Sequence, residues 1–452
     1  MHEPQSPESG RVIFTKEMRR DYTILVPMMA PIHFELIRNV MLNAGYKVEI
    51  LENCSHQVVE EGLKYVHNDT CYPALLVIGQ LIDALNSGKY DLDRTALMMS
   101  QTGGGCRASN YIHLLRKALQ KAGYGHLPVI SANLSGLEEN PGFQVTLPMI
   151  RKLIAALIYG DMLMLLSNQI RPYENTQGDA DGLVSYWIGA LTRQFNDGDG
   201  LNLTQMKRNL DRIATDFEQI AITRTPKVKV GIVGEIYVKY SKLANNNLEE
   251  FLASQDCEVM LPGLLNFMLF KVDNRLEDHK LYGGNSMKYF AVNTFMDFLL
   301  RMERILLDVL AKHPQFTAPS PYHHLKALVK DIIGYGNKMG EGWLLTAEMV
   351  ELIESGYGNI VCAQPFGCLP NHISGKGMVH RLRELYGNTS NIVAIDYDPS
   401  ATRVNQENRI KLMLAVAKER LEQELGETRT ADSLEKAPGK TQGVDSREPV
   451  LV

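Results

Sequence analysis

The order of apolar and polar positions predicts alternating strands and helices in the first third of the chain. Short apolar runs typical of buried strands occupy Tyr22–Met28, Lys47–Leu51, Ala96–Met99 and Leu127–Ser131. Segments with helical periodicity lie between and after them, at Pro31–Ala44, Val58–Val66, Pro73–Asn86 and Arg107–Lys121. Repeated strand–helix–strand units are typical of an open parallel sheet covered by helices.

The same alternation restarts after a mainly helical stretch. Leu147–Leu166 predicts a long apolar helix, and Ile170–Thr225 predicts amphipathic helices. Later apolar runs predict strands at Lys227–Val233, Glu258–Leu261, Asn359–Ala363 and Ile392–Asp396. The remaining periodic segments predict helices at Asn247–Ser254, Phe290–His313, Tyr322–Ile333, Ala347–Ser355, His372–Tyr386 and Asn405–Leu425.

These patterns predict an α/β protein with two similar lobes joined by a helical connecting layer. We place the first lobe at residues 21–169, the connector at 170–225 and the second lobe at 226–425. Residues 1–20 are polar and predict a flexible lead-in. Residues 426–452 are rich in Gly, Pro, Ser, Thr and charge, and they predict a disordered tail.

Composition and charge narrow the classes of partner. The apolar content of 45% and charged content of 22% are ordinary for a globular protein, and a net charge of −5 offers no basic footprint for nucleic acid or an anionic membrane. The first twenty residues do not resemble a signal peptide, and the longest apolar run, Leu153–Leu166, is too short to span a bilayer. We therefore expect a cytoplasmic protein without nucleic-acid or membrane partners.

Two glycine-rich segments differ from the phosphate loops of nucleotide-binding proteins. Gly375-Lys376-Gly377 lacks the earlier glycine and the Ser or Thr of a Walker A loop, and Gly334-Tyr335-Gly336 lacks the third glycine of a dinucleotide fingerprint. We expect no ATP or NAD bound by this chain itself.

The most distinctive short stretch is SQTGGGCRASNY, from Ser100 to Tyr111. A predicted strand passes through a glycine turn into a predicted helix, which places Cys106 beside free backbone N–H groups and the positive end of a helix dipole. Such a setting favours the thiolate, the metal-ligating form of cysteine. An inert buried thiol in a tight turn is the alternative interpretation.

Cys71, Cys106 and Cys368 share one context: each closes a loop and is followed at once by a predicted helix. We expect these loops, and that of Cys54, to follow strands and so to lie at the ligand-binding edge of the sheets. Three thiolates from two facing lobes suit an iron–sulfur cluster with one iron left open, or a zinc ion with an open position. The six cysteines of the chain are too sparse for a disulfide scaffold.

Five longer stretches carry a family resemblance, namely FTKEMRRDYTILVPMMAPIH, GLKYVHNDTCYPALLVIGQ, SQTGGGCRASNY, GEIYVKYSKLANNNLEEFL and QPFGCLPNHISGKG. In this order they resemble the 2-hydroxyacyl-CoA dehydratase family, and most closely the dehydratase-like segment of acyl-CoA dehydratase activase-related proteins. The resemblance spans Phe14 to Gly377. It implies two flavodoxin-like lobes and a 4Fe-4S cluster between them, held by Cys71, Cys106 and Cys368.

The resemblance also implies partners and an activity. An ATP-dependent iron–sulfur activase would supply low-potential electrons from a separate polypeptide, and the substrate would be an acyl-CoA or another small molecule. The chain would act as an (R)-2-hydroxyacyl-CoA dehydratase-like lyase or as a reductase of the double-cubane type. A homodimer or heterodimer fits the family. The alternatives are a non-catalytic cluster-binding or maturation partner, and a zinc-bound or metal-free binding protein.

Other residues are weaker candidates. Gly104 and Gly105 would let the backbone approach a cluster. Cys54 would be a fourth ligand or part of a larger double cluster, and Cys362 either a buried core thiol or a further ligand of that larger cluster. Cys257 is expected to be structural, and Asn68 and Asp69 to cap the Pro73 helix. The remaining polar candidates near the predicted rim are Glu235, Tyr237, Lys239, the asparagines 245–247, His372 and Lys376.

Overall fold

The computed structural model of the protein describes residues 11–101, 104–133 and 138–435, with side chains up to residue 427. Its eight strands form two parallel four-stranded sheets, with the orders β2-β1-β3-β4 and β6-β5-β7-β8. The strands are β1 (Thr23–Pro27), β2 (Lys47–Leu51), β3 (Thr95–Ser100), β4 (Val129–Ala132), β5 (Val228–Gly234), β6 (Cys257–Met260), β7 (Asn359–Pro365) and β8 (Asn391–Tyr397).

Helices cover both sheets and connect them. The first lobe contains α1 (Met18–Asp21), α2 (Pro31–Asn43), α3 (His56–Tyr65), α4 (Tyr72–Asn86), α5 (Tyr111–Ala122) and α6 (Leu147–Ile170). The connector contains α7 (Asp179–Asn196) and α8 (Leu203–Glu218). The second lobe contains α9 (Ile236–Tyr240), α10 (Leu248–Ser254), α11 (Leu264–Tyr282), α12 (Ser286–Leu310), α13 (Tyr322–Leu328), α14 (Trp343–Glu354), α15 (Leu369–Ser374), α16 (Val379–Tyr386) and α17 (Arg403–Glu435).

The predicted fold class is confirmed: the protein is α/β, with two Rossmann-like lobes on parallel sheets. The two sheets share one strand order, so each lobe repeats the connectivity of the other. Because all neighbouring strands are parallel, the loops after the strands of one sheet share one edge. No helix within the described residues combines the length and apolarity needed to cross a bilayer.

Helix α6 joins the two lobes through a buried polar contact. Every residue from Ile154 to Ile170 is buried, and the helix packs against α2, α8 and α11. The carboxylate of Asp161 accepts hydrogen bonds from the backbone N–H groups of Leu264 (2.7 Å) and Leu265 (2.9 Å) and lies 2.9 Å from His33 Nε2. One side chain therefore ties α2 to the start of α11.

The described parts of the two chain ends, residues 11–20 and 426–435, are more ordered than the sequence predicts. Arg11 forms an ion pair with Glu138 at 2.8 Å, and Phe14 is fully buried, so the latter half of the expected lead-in packs on the first lobe. Helix α17 continues to Glu435, into the stretch predicted to be disordered. The rest of both predicted segments, residues 1–10 and 436–452, lies outside the described residues.

Two buried carboxyl groups predict that stability falls as the pH rises. Burial raises the pKa of Glu303 and of Glu351 to about 7, against an ordinary value of 4.5. The folded state thus binds more protons than the unfolded state between about pH 4.5 and 7, so stability is lost as pH rises through this window. Between pH 5 and pH 8, we expect the free energy of unfolding to fall by about 1–3 kcal/mol less in Glu303→Gln than in the unchanged protein.

Urea unfolding followed at several pH values checks this. Glutamine keeps the acceptor for the backbone N–H of Tyr322, which Glu303 Oε1 holds at 2.7 Å. Glu60→Gln, on the exposed face of α3, is the control and should leave the pH dependence unchanged. The expectation is contradicted if the free energy of unfolding depends on pH equally in Glu303→Gln and in the unchanged protein.

Candidate functional site

The three cysteines precede helices, as predicted, but not all of them follow strands. Cys71 is the N-cap of α4, Cys368 is the N-cap of α15, and Cys106 precedes a 3₁₀ turn at Arg107–Ser109. Cys106 and Cys368 come after β3 and β7. Cys71 comes after α3, so the expectation that it lies in a loop after a strand is wrong. The side chains of Cys71 and Cys368 are buried, and that of Cys106 is half-buried.

The loops that carry these cysteines meet across the lobe interface. The backbone N–H of Tyr72 in the first lobe donates to the carbonyl of Phe366 in the second, at 3.2 Å. Gly367 has a φ of 75°, and a Cβ at this position would lie 3.4 Å from Cys71 Cα. A glycine therefore gives this loop both the left-handed turn and the close approach to Cys71.

A second contact between the lobes lies beside Cys106. A Cβ on Gly105 would lie 2.7 Å from Met339 Sδ, so a side chain there would displace the methionine. Gly340, the next residue of the same loop, packs against Pro370 of α15. Gly104 is exposed, and a Cβ there would meet no atom of the described residues within 4 Å. The backbone before Cys106 is therefore open to solvent on this side.

Burial dominates the acid–base properties of the three thiols. It raises the pKa of Cys71 to about 11 and raises the pKa values of Cys106 and Cys368 as well. The backbone N–H groups of Ala74, Ala108 and Asn371 oppose these rises without reversing them. Burial therefore opposes the thiolate form that was expected of Cys106, and a metal that binds this sulfur must displace its proton.

Two carboxyl groups share the site with the cysteines. The charge of Glu235, the N-cap of α9, raises the pKa of all three thiols, and that of Glu341 raises the pKa of Cys106 and Cys368. Burial and the neighbouring Glu341 raise the pKa of Glu235 itself to about 8. Glu235 Oε2 accepts from the N–H of Val238 at 2.8 Å, and Glu341 Oε1 accepts from Ile236 N–H at 3.0 Å.

A lysine and a tyrosine complete the group. Lys271 of α11 donates to the carbonyl of Gly340, and burial lowers its pKa while Glu341 and Cys106 favour its charged form. Tyr111 Oη lies 2.8 Å from Cys71 Sγ, with both side chains buried. Sequence reasoning identified Glu235 but missed Glu341 and Lys271, and it quoted Tyr111 within a motif without assigning it a role.

The additional cysteines have different surroundings. Cys54 is exposed. Cys362, on β7, is buried, and the charges that raise its pKa after burial are those of Asp396 and Glu348. Cys257 is buried at the start of β6. Cys106 influences both of the other proposed ligands, since its charge raises the pKa of Cys71 and of Cys368.

Most of the other polar candidates have structural partners. Lys239 forms a buried ion pair with Glu348 at 3.2 Å, His372 Nδ1 lies 2.8 Å from Gln364 Nε2, and Lys376 pairs with Asp396 at 3.3 Å. The cap expected from Asn68 and Asp69 is absent, because Cys71 itself occupies the N-cap position of α4. Asn245 donates to the carbonyls of Val238 and Lys239 and so holds the end of α9.

Among the described residues, no group of three or more His, Cys, Asp or Glu side chains surrounds a position for a single metal ion. No model of a known protein family matches the chain, and no curated protein matches it.

Proposed function

We propose that this chain is a cytoplasmic iron–sulfur redox protein of the 2-hydroxyacyl-CoA dehydratase type. Cys71, Cys106 and Cys368 would hold a 4Fe-4S cluster between the lobes. One observation supports this more than any other: cysteines from three separate loops in two lobes, two of them buried and one half-buried, lie where those lobes touch. Three soft sulfur donors are the ligands that iron–sulfur clusters take.

The surroundings of the thiols fit such a group. The backbone N–H groups of Ala74, Ala108 and Asn371, which face the three thiols, can donate to cluster sulfur. The exposed position of Cys54 favours a single cluster over a double one. The buried Cys362 lies beside α15, with its Sγ 4.0 Å from Asn371 Oδ1. Bound there with three protein ligands, the cluster would supply one-electron chemistry and an iron open to a substrate oxygen.

The residues around the thiols would handle protons and exclude water. Glu235 holds a proton near neutral pH because burial and Glu341 raise its pKa to about 8, so it can deliver that proton to a bound substrate. Met339 packs over Gly105 and limits solvent access beside Cys106. We propose an acyl-CoA or another small molecule as the substrate.

The rim of the site supports a protein partner. Phe366 and Leu369 flank Cys368 in the loop and are 48% and 67% exposed, and Met339 and Ile373 are each 47% exposed. Large apolar side chains concentrated at one exposed edge are typical of interaction sites. We propose that these four residues, the apolar rim, contact an ATP-dependent iron–sulfur activase that delivers electrons to the cluster.

Iron and sulfide counts on anaerobically purified protein test the proposal directly. We expect about four of each per chain, broad visible absorption, and a paramagnetic signal that appears when a candidate activase and ATP are added. Protein that holds neither iron nor sulfide and has no visible absorption contradicts it. Zinc in their place would support the zinc-bound alternative.

A further inference from the structure

The hydrogen bond between Tyr111 and Cys71 has only one possible donor once the sulfur is a metal ligand. Tyr111 Oη and Cys71 Sγ are 2.8 Å apart, and as a free thiol and a phenol either atom can donate. A ligating cysteine has lost its proton. The phenol then carries the only hydrogen in the pair, so Tyr111 must donate and the sulfur must accept.

The position of Tyr111 makes this donor permanent. It is the first residue of α5, its side chain is only 8% exposed, and the helix is anchored by the buried Ile112 and Leu115. A hydroxyl held rigidly in a buried position therefore faces the sulfur.

The same segment joins two of the cysteines. Tyr111 follows Cys106 by five residues, and the 3₁₀ turn at Arg107–Ser109 connects them. Ser109 Oγ donates to the carbonyl of Gly104 at 2.6 Å, which fixes the loop that holds Cys106. One short segment thus supplies a ligand of its own and a hydrogen-bond donor to the ligand in α4.

We propose that Tyr111 tunes the reduction potential of the cluster by donating a hydrogen bond to the Cys71 ligand sulfur. This inference rests on the proposed function. Reduction adds negative charge to a cluster and its sulfurs, and a donor to sulfur stabilises the state with more negative charge. Tyr111 therefore raises the potential and makes the cluster easier for its donor to reduce.

Potentiometric titration of the reduced cluster's paramagnetic signal tests the role of Tyr111. In Tyr111→Phe, which keeps the ring and removes the hydroxyl, we expect the ratio of reduced to oxidised cluster at a fixed potential to fall about tenfold. That fall corresponds to about 59 mV for one electron. Iron and sulfide content should stay at the level of the unchanged protein.

Tyr46→Phe is the matched control. Tyr46 is also buried in the first lobe, and its hydroxyl bonds the backbone of Gln144, at 3.0 Å from the N–H and 3.3 Å from the carbonyl, away from the cysteines. It should leave the potential unchanged. If Tyr111→Phe does not retain its iron, the test uses a protein with 3-fluorotyrosine at position 111 instead. This phenol is more acidic and donates a stronger hydrogen bond, so the reduction potential should rise.

The outcomes separate the two proposals. Unchanged protein without iron and sulfide overturns the proposed function and this inference together, and metal analysis shows it before any variant is compared. A loaded protein whose potential is the same with phenylalanine or fluorotyrosine at position 111 overturns this inference alone. A shift in the expected direction, with the control unchanged, supports it.

Discussion

Serine at position 71, 106 or 368 is expected to remove most of the bound iron and the visible absorption from anaerobically prepared protein. Serine is close to cysteine in shape, but its hydroxyl oxygen is a hard donor and loses its proton far less readily than a thiol. The change thus removes the ligand with little change in volume. We expect iron content to fall more than about tenfold in each variant, since even indirect ligand contacts contribute 10- to 100-fold to metal affinity.

Alanine at the three other cysteines provides matched controls. Cys257 and Cys362 are buried in strands of the second lobe, and Cys54 is exposed. Cys257→Ala, Cys362→Ala and Cys54→Ala should each retain the full iron and sulfide content. Loss of iron from Cys54→Ala or Cys362→Ala would show that the cluster extends beyond the three proposed ligands. Full iron content in Cys106→Ser would show that Cys106 is not a ligand.

Removing two side chains of the apolar rim is expected to slow reduction by the activase about a hundredfold at limiting activase concentration. Phe366 and Leu369 project into solvent beside Cys368 and have no role in the core. Each central apolar residue of an interface typically contributes more than 1 kcal/mol, close to a factor of ten in affinity. The double variant Phe366→Ser and Leu369→Ser therefore loses two such contributions without a cavity.

Two comparisons isolate docking from the cluster itself. The double variant Val404→Ser and Leu412→Ser removes residues that are 63% and 70% exposed on α17, outside the rim, and it should be reduced at the normal rate. Reduction of both double variants by a small chemical reductant should also be normal. If the Phe366 and Leu369 variant accepts electrons from the activase as fast as the α17 variant, the activase does not dock on this rim.

Strands and most helices were predictable because their signals are local. The strand at Lys47–Leu51 has the predicted bounds, and the others differ by a few residues. Helix α11 was missed because its first turn depends on a distant residue: Asp161 caps the N–H groups of Leu264 and Leu265 from about 100 residues away. No pattern within α11 encodes that contact.

The candidate site was predicted in part, where its signals are local, and missed where it depends on contacts between distant parts of the chain. Three cysteines before helices are visible in the sequence. The shared edge of the sheets accounts for the positions of Cys106 and Cys368 but not for that of Cys71, which follows α3. Glu341 comes from a loop and Lys271 from the missed helix α11, so their approach to the cysteines depends on how the second lobe packs. The order of α17 beyond residue 425 was missed because a helix anchored by Ile410, Met413 and Leu414 extends at little further cost.

Because the three cysteines are divided between the two lobes, they become available at different times during synthesis of the chain. Cys71 and Cys106 belong to the first lobe, and Cys368 follows Cys106 by about 260 residues. At synthesis rates of about 5–20 residues per second, the ribosome needs roughly 15–50 s to reach the third thiol after the second. The backbone contact from Tyr72 to Phe366 forms later still, when the second lobe has folded. During that interval the nascent first lobe contains two of the proposed ligand thiols without the third, so a cluster held by all three could be inserted only after the second lobe has been synthesised.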